Sequence, residues 1–368
     1  MRVLLETSIT RFVQTGLATY ATNLARALES GAGGVEIVRA AVPSWMEGWR
    51  GTPLRRVCSA YWQIVHARRL ARLASRARCD LIHYTMTMPI PANLPCPAIA
   101  TVHDLIPFAH PEWVAPLRGW RLRAGIGAAV RRARHIIAVS EATRRETLAR
   151  FGLPPERVTA VWEGPGEPLP VLSDEAAQRR VKGDYGLARG YVLCGGSIEP
   201  RKNLQGMLAA YRELARPWAD VPPLVVVGGI TWQPPWLSEA LASPDLKPHL
   251  RVLGHLPADA LAALFRCAGV FVYPSLYEGF GLPPFEAWQN DCPVIASNVS
   301  SLPEVLADGA WLVDPHDVGS LAGALRDILR QPGLADRWRE RGRTRMRRFS
   351  WTACAEQTAA VYRKVAET

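Results

Sequence analysis

The segment YPSLYEGFGLPPFEAW holds the densest set of residues that could do chemistry. The strand pattern VFVYPS ends, Glu278 follows, and Gly279, Phe280, Gly281 and Leu282 lead into a helix opened by Pro283 and Pro284. Proline suits a first helical turn. The two glycines let backbone N–H groups approach an anion, and a helix start adds a positive end. Glu286, eight residues after Glu278, stands where a carboxylate can accept two hydrogen bonds from a ribose diol. A second segment, GGSIEPRKNLQGML, sets Arg201 and Lys202 just before a helix whose expected N-cap is Asn203. Cations oppose the dipole at that end of a helix. Their placement makes sense beside a diphosphate, with Arg forking onto its oxygens and Lys acting as a point charge.

The first half of the chain carries weaker signals. Gly16 opens a helix after the strand MRVLLE, where its backbone could meet the same diphosphate. The strand AIATVHD ends on His103 and Asp104, side chains suited to a sugar or an acceptor; His83, near the end of DLIHY, reads as a structural histidine. No D-x-D occurs, so the commonest hint of a metal-held nucleotide sugar is missing, and no G-x-G-x-x-G marks a dehydrogenase.

These residues need a scaffold that brings strand ends together. Short apolar strands alternate with amphipathic helices, the pattern of parallel sheets. Strands are expected at MRVLLE, VEIVRAAV, DLIHY, AIATVHD, HIIAVS and VTAVWEG, with helices over residues 17–28 and near 54–78, 119–134 and 141–151. A second set comprises YVLCGGS, LVVVGG, VFVYPS, PVIAS and WLVD, with helices near 203–215, 258–267, 283–290 and 317–330. Residues 164–190, rich in Gly and Pro, read as a linker. The expectation is an α/β chain of two doubly wound, Rossmann-like domains facing across a cleft, residues 1–170 on the acceptor side and 171–349 holding the nucleotide sugar. The helical stretch over 350–368 packs back on the first domain.

Composition agrees with 368 residues in two soluble cores, 48% of them apolar. Seven cysteines (58, 79, 96, 194, 267, 292, 354) lie far apart without a C-x-x-C pair and read as reduced thiols. No apolar run reaches membrane-spanning length and the N-terminus lacks a signal-peptide pattern, which predicts a cytoplasmic protein. Residues 1–170 carry 22 Arg against 12 acids (+10), and residues 171–368 carry 22 Arg plus Lys against 21 acids (+1). Such a basic half suits an anionic membrane, met peripherally through arginines 50, 55, 56, 68, 69, 72, 76 and 78 around one helix. The arginines are not interleaved with an aromatic platform, so nucleic acid is not expected.

Taken together, Gly16 with TYATNLARAL, TVHDLIPF, AVSEATRRETLARFGLPPERV, the PRKN segment and EGFGLPPFEA resemble the retaining glycosyltransferases of family 4, of GT-B fold, over essentially the full length. The E-x7-E of the last segment is the most specific. The resemblance implies that Glu286 holds the ribose, Glu278 lies near the donor sugar, and Arg201 and Lys202 hold the diphosphate. It further implies Gly16 and the loop Gly279–Gly281 as backbone donors and His103 beside the transferred sugar; Leu282 joins the expected nucleotide-sugar site and Asp104 the expected catalytic residues. Many members carry Arg directly after the glycine of the phosphate segment; here Gly196 stands there, which puts more of that charge on Arg201. The HDLIPF and PRKN variants are most similar to bacterial mannosyltransferases of surface polysaccharide assembly. That similarity implies hexose transfer from GDP-mannose to a glycan or lipid-linked acceptor, without a metal or other cofactor. A GT-B-type epimerase or phosphorylase and a non-catalytic two-lobed sugar-binding protein are the alternatives.

Overall fold

A computed structural model describes residues 1–8, 10, 16–40, 65, 66, 68–218, 220–229 and 235–367. The chain forms two compact units, Met1–Gly164 with Phe349–Thr368, and Pro165–Arg348.

In the first unit the strands are β1 (Arg2–Glu6), β2 (Glu36–Ala40), β3 (Leu81–Tyr84), β4 (Ala98–Val102), β5 (His135–Ala138) and β6 (Val158–Ala160). All pair in parallel, in the order β2-β1-β3-β4-β5-β6. β3, β4 and β5 are buried along their whole length, as a sheet covered on both faces requires, which is why they read as short apolar runs. Helix Gly16–Glu29 buries Tyr20, Ala21, Leu24 and Leu28, as its spacing predicts, and leaves Leu17 half-buried. Strand order reverses between β1 and β3, so their carboxyl ends flank the crevice where such sheets bind ligands.

Helix Trp351–Ala366 belongs to this unit and lies against helix Gly16–Glu29. Its Ser350 cap accepts from the Ala353 N–H at 3.0 Å, and Trp162 stacks on Phe349 at 5.2 Å. Glycine is required at Gly164, where a Cβ would come within 2.6 Å of the Trp351 ring. Two helices follow one another here, Leu334–Met346 in the second unit and Trp351–Ala366 in the first. Ser350, in extended conformation, starts the second.

In the second unit β7 (Val192–Gly195), β8 (Leu224–Val227), β9 (Leu250–Gly254), β10 (Val270–Tyr273), β11 (Val294–Ser297) and β12 (Trp311–Val313) form another parallel sheet, ordered β12-β11-β10-β7-β8-β9. Its order reverses between β7 and β10. β9 is the strand that the sequence pattern does not mark. Arg251 alternates there with half-buried neighbours, so no apolar run forms on this edge. The expected linker 164–190 contains helix Asp174–Tyr185, capped by Ser173 and closed by Gly186 at φ 64°, and packed on helix Ala258–Cys267. Only Ala177 and Val181 are buried along it, too thin a stripe to show a period.

Among the described residues of the expected 54–78 helix, 65, 66 and 68–76 are helical. Arg68, Arg72, Arg76 and Arg78 are exposed; Arg50, Arg55 and Arg56 lie outside the described residues. Cys79, Cys194, Cys267, Cys292 and Cys354 are buried free thiols, and Cys96 is half-buried.

Candidate active site

The carboxyl ends of β7 and β10, at the reversal of the second sheet, carry the residues with the strongest chemistry. After β7 the chain turns through Gly196 at φ 125°, and Gly228 at φ 131° comes so close that a Cβ on it would lie 2.1 Å from the Gly196 carbonyl oxygen. Only glycine fits both the dihedral and the contact. This tight crossing leads into Pro200–Lys202, one turn of 3-10 helix, and then helix Leu204–Ala215. Asn203 adopts φ 53°, and its side chain caps that helix by accepting from the Gly206 N–H at 3.2 Å.

Arg201 and Lys202 converge on Glu278, which follows β10. The guanidinium donates to Glu278 Oε2 at 2.8 Å and to Glu199 Oε2 at 2.9 Å; the ammonium donates to Glu278 Oε1 at 2.5 Å and to the Tyr273 hydroxyl at 2.6 Å. Side-chain exposure is 11% for Lys202 and 9% for Glu278, so the pair is almost dry. Burial alone would raise the Glu278 carboxyl; Lys202 and Arg201 overcome it and hold the group at about 2. Burial pushes the Lys202 ammonium down, and Glu278 opposes that. Glu278 is therefore ionised at neutral pH. Two cations facing a single carboxylate, with Glu199 on the outer side of Arg201, form a ready partner for a second anion.

Ser300 and Ser301 fix the backbone around Glu278. Ser301 donates to the Glu278 carbonyl at 2.9 Å and to the Phe280 carbonyl at 3.2 Å, and Ser300 Oγ accepts from the Glu278 N–H at 3.2 Å. Phe280 is buried and lies parallel to Phe285 at 5.8 Å, so its side chain belongs to the core and only its backbone faces a ligand. Gly281 sits at φ 100°, and a Cβ there would meet Leu302 at 2.7 Å. Helix Pro283–Gln289 has no side-chain cap. Pro283 and Pro284 carry no N–H, so the first helical turn supplies fewer donors than a helix start normally does. The N–H groups of Gly281 and Leu282 have no acceptor among the described residues, which makes this pair the better anion-facing donors.

Glu286 is half-buried in that helix, with its carboxylate beside Gly166. No side chain among the described residues hydrogen-bonds its carboxylate, and burial pushes that carboxyl up to about 7, with Lys202 opposing. Because the folded value lies above the unfolded one, this group favours the fold below pH 4.5 and loses that contribution as pH rises through about 7. A ligand diol needs the ionised form as acceptor. Affinity for a free nucleoside diphosphate should then rise about tenfold from pH 6 to pH 8 through this group. Calorimetry on Glu286→Gln supplies the control, since the ligand's own phosphate titration is common to both proteins. Parallel pH profiles would remove Glu286 from the ligand site.

In the first unit, His103 follows β4 with its Nε2–H donating to the Thr85 carbonyl at 2.8 Å and its Nδ1 3.4 Å from Glu163 Oε1. Tyr20 meets the His103 ring edge-on at 4.8 Å. Thr85 and Glu163 thus hold the imidazole between them. Asp104 accepts from the Ile106 N–H at 3.1 Å, a turn-forming bond at the start of a short helix. Gly16 is exposed at the start of its helix; the preceding Thr15 lies outside the described residues. His83 is buried and bonded through Nε2 to Thr101 at 2.8 Å and through Nδ1 to Tyr362 at 2.6 Å. Burial lowers it to about 3, so it stays neutral and tethers the C-terminal helix.

Glu163, Tyr273, Ser300 and Ser301 were missed by sequence reasoning. Glu163 had a signal, since VTAVWEG places it just past the carboxyl end of β6. The serines, 22 and 23 residues beyond Glu278, had none.

Paired parallel Rossmann-like units define the GT-B class of fold. Across 99% of this chain and 98% of theirs the units superpose on a sucrose-phosphate synthase from Thermosynechococcus elongatus with a TM-score of 0.76 at 20% identity. Anabaena HepE, solved with UDP and glucose, gives 0.71 at 14% identity over 99% of this chain and all of that one. Residues 14–164 match Glycosyltransferase Family 4, and residues 180–345 match Glycosyl transferases group 1. The O-antigen chain mannosyltransferase B of Escherichia coli is 33% identical over 316 residues, 82% of this chain and 79% of that protein. The serotype-specific mannosyltransferase WbdA of Escherichia coli is 30% identical over 74% of this chain, which spans 34% of WbdA. The chain belongs to the family 4 glycosyltransferases.

Proposed function

We propose that the chain transfers mannose from GDP-mannose to a glycan or lipid-linked acceptor in surface polysaccharide synthesis, retaining the anomeric configuration. The observation that carries the reading is the dry cluster of Arg201, Lys202 and Glu278 at the reversal of the second sheet, joined to the Gly281–Leu282 turn. The similarity to the O-antigen chain mannosyltransferase supports the choice of sugar and of acceptor class.

Departure of the diphosphate leaves oxocarbenium character on the sugar and negative charge on the leaving oxygen. Arg201, Lys202 and the loop amides stand fixed around that charge and stabilise its development. Glu286 holds the ribose, and Glu278 meets the sugar as its cations turn to the phosphates. The acceptor hydroxyl attacks from the face that the diphosphate leaves, and a phosphate oxygen helps to take its proton. His103, locked by Thr85, and Asp104 lie on the acceptor side, with the exposed Gly16 as a backbone donor there. The acceptor is met at an anionic membrane surface, peripherally and from the cytoplasmic side. Since the leaving charge already faces two cations, no divalent ion is required.

Thermal shifts with GDP, UDP, dTDP and ADP in EDTA test the donor. GDP at about 100 times its dissociation constant should add roughly 2.7 kcal/mol, above the other three. Stabilisation by UDP alone would move the donor to a uridine sugar, and stabilisation that appears only with magnesium or manganese would overturn metal independence.

A further inference from the structure

Six large apolar side chains are exposed among the described residues, and three of them, Leu117, Trp120 and Leu122, lie on helix Pro116–Arg132. Leu117 is 71% exposed and Trp120 63%. The opposite face is anchored in the first unit by buried Gly125, Ile126, Ala129 and Val130. At 100° per residue Leu117, Trp120 and Ala124 share an arc of about 60° that also takes in Arg131, with Arg121 and Arg118 to one side. The helix contains no acidic residue, and no carboxylate among the described residues pairs with Arg118, Arg121 or Arg131.

An outward face that mixes tryptophan and leucine with unneutralised guanidiniums matches neither a solvated helix, which shows no large apolar side chains, nor a core-facing one. It suits the boundary of an anionic bilayer, where the apolar groups enter the acyl region and the arginines meet lipid phosphates. The exposed face of residues 68–76, by contrast, presents Arg68, Arg72, Ser75 and Arg76 without a large apolar partner.

We propose that helix Pro116–Arg132 is the membrane-docking surface of this chain, with Leu117 and Trp120 inserted and Arg118, Arg121 and Arg131 held at the headgroups of anionic phospholipid. The proposal rests on the reading that the acceptor is met at a membrane, and names the surface that meets it.

Sedimentation with vesicles of phosphatidylcholine alone, or with one third phosphatidylglycerol, tests it on the full chain. Wild type should partition at least tenfold more strongly onto the anionic vesicles, and less so as salt rises. The Leu117→Ala/Trp120→Ala double variant should lose at least tenfold of that partition with an unchanged melting temperature. The Arg118→Gln/Arg121→Gln variant should flatten its dependence on anionic lipid. Equal sedimentation of wild type and the apolar double variant would overturn the proposal, as would a wild type that ignores anionic vesicles. So would a dimer, seen by analytical ultracentrifugation, that the double variant abolishes while vesicle binding persists. Transfer to a water-soluble acceptor, assayed without lipid, reads the glycosyltransferase function separately; the double variant should keep it.

Discussion

Glu286→Ala is expected to weaken free nucleoside diphosphate binding by about 1.5 to 3 kcal/mol, the scale of lost hydrogen bonds to a charged group and roughly 10- to 150-fold in affinity. The unliganded protein should not suffer. Its carboxylate has no side-chain partner among the described residues, and burial drives it toward the protonated form, so at pH 8 removal relieves a strain on the fold. Weaker binding together with an equal or higher melting temperature separates a ligand-facing carboxylate from a structural one. Normal binding, or a destabilised apo protein, would show Glu286 to be part of the scaffold.

Glu278→Ala is expected to fail in the opposite way. The alanine leaves the Lys202 ammonium buried with Tyr273 but without its carboxylate, and breaking such a pair destabilises by about 3 to 5 kcal/mol. A nucleoside diphosphate brings an anion to the same cations, so its affinity, and with it the stabilisation on binding, should stay within a few fold of wild type. Turnover should fall about a hundredfold or more, since the sugar that Glu278 is proposed to meet is present only with the donor. Calorimetry with the free diphosphate, set beside steady-state rates, reads both terms. If Glu278→Ala abolishes nucleotide binding while Glu286→Ala binds normally, the two roles are reversed.

What the sequence made legible follows from period and placement. Among the described residues eleven of the twelve strands coincide with marked runs, the central ones apolar because parallel sheets bury both faces, and the edge strand β9, with Arg251 in it, has no such run. Helix Asp174–Tyr185 stayed hidden among Gly and Pro although Ser173 and Gly186 mark its ends, because two buried side chains make no stripe. The division between units falls at Gly164 and Pro165, six residues before the expected boundary.

At the site, Arg201, Lys202 and the glycine loop after Glu278 each read as suited to a diphosphate, and the strand order brings Arg201, Lys202 and Glu278 to one reversal. That both cations pair with Glu278 in the free protein could not be read from spacing, because it depends on the depth of Lys202 beneath Tyr273. The two prolines read as a helix start, and they also remove the very donors that such a start would offer. Asp104 read as a reactive group, and its observed bond is to the turn that follows it.

The most direct test of the account is nuclear magnetic resonance of the product formed from GDP-mannose and a synthetic mannose oligosaccharide on a short alkyl chain, in EDTA. The prediction is one new glycosidic bond per GDP released, with the α configuration of the donor kept. Release of free mannose or mannose phosphate in place of a lengthened oligosaccharide, or a β-linked product, would contradict it.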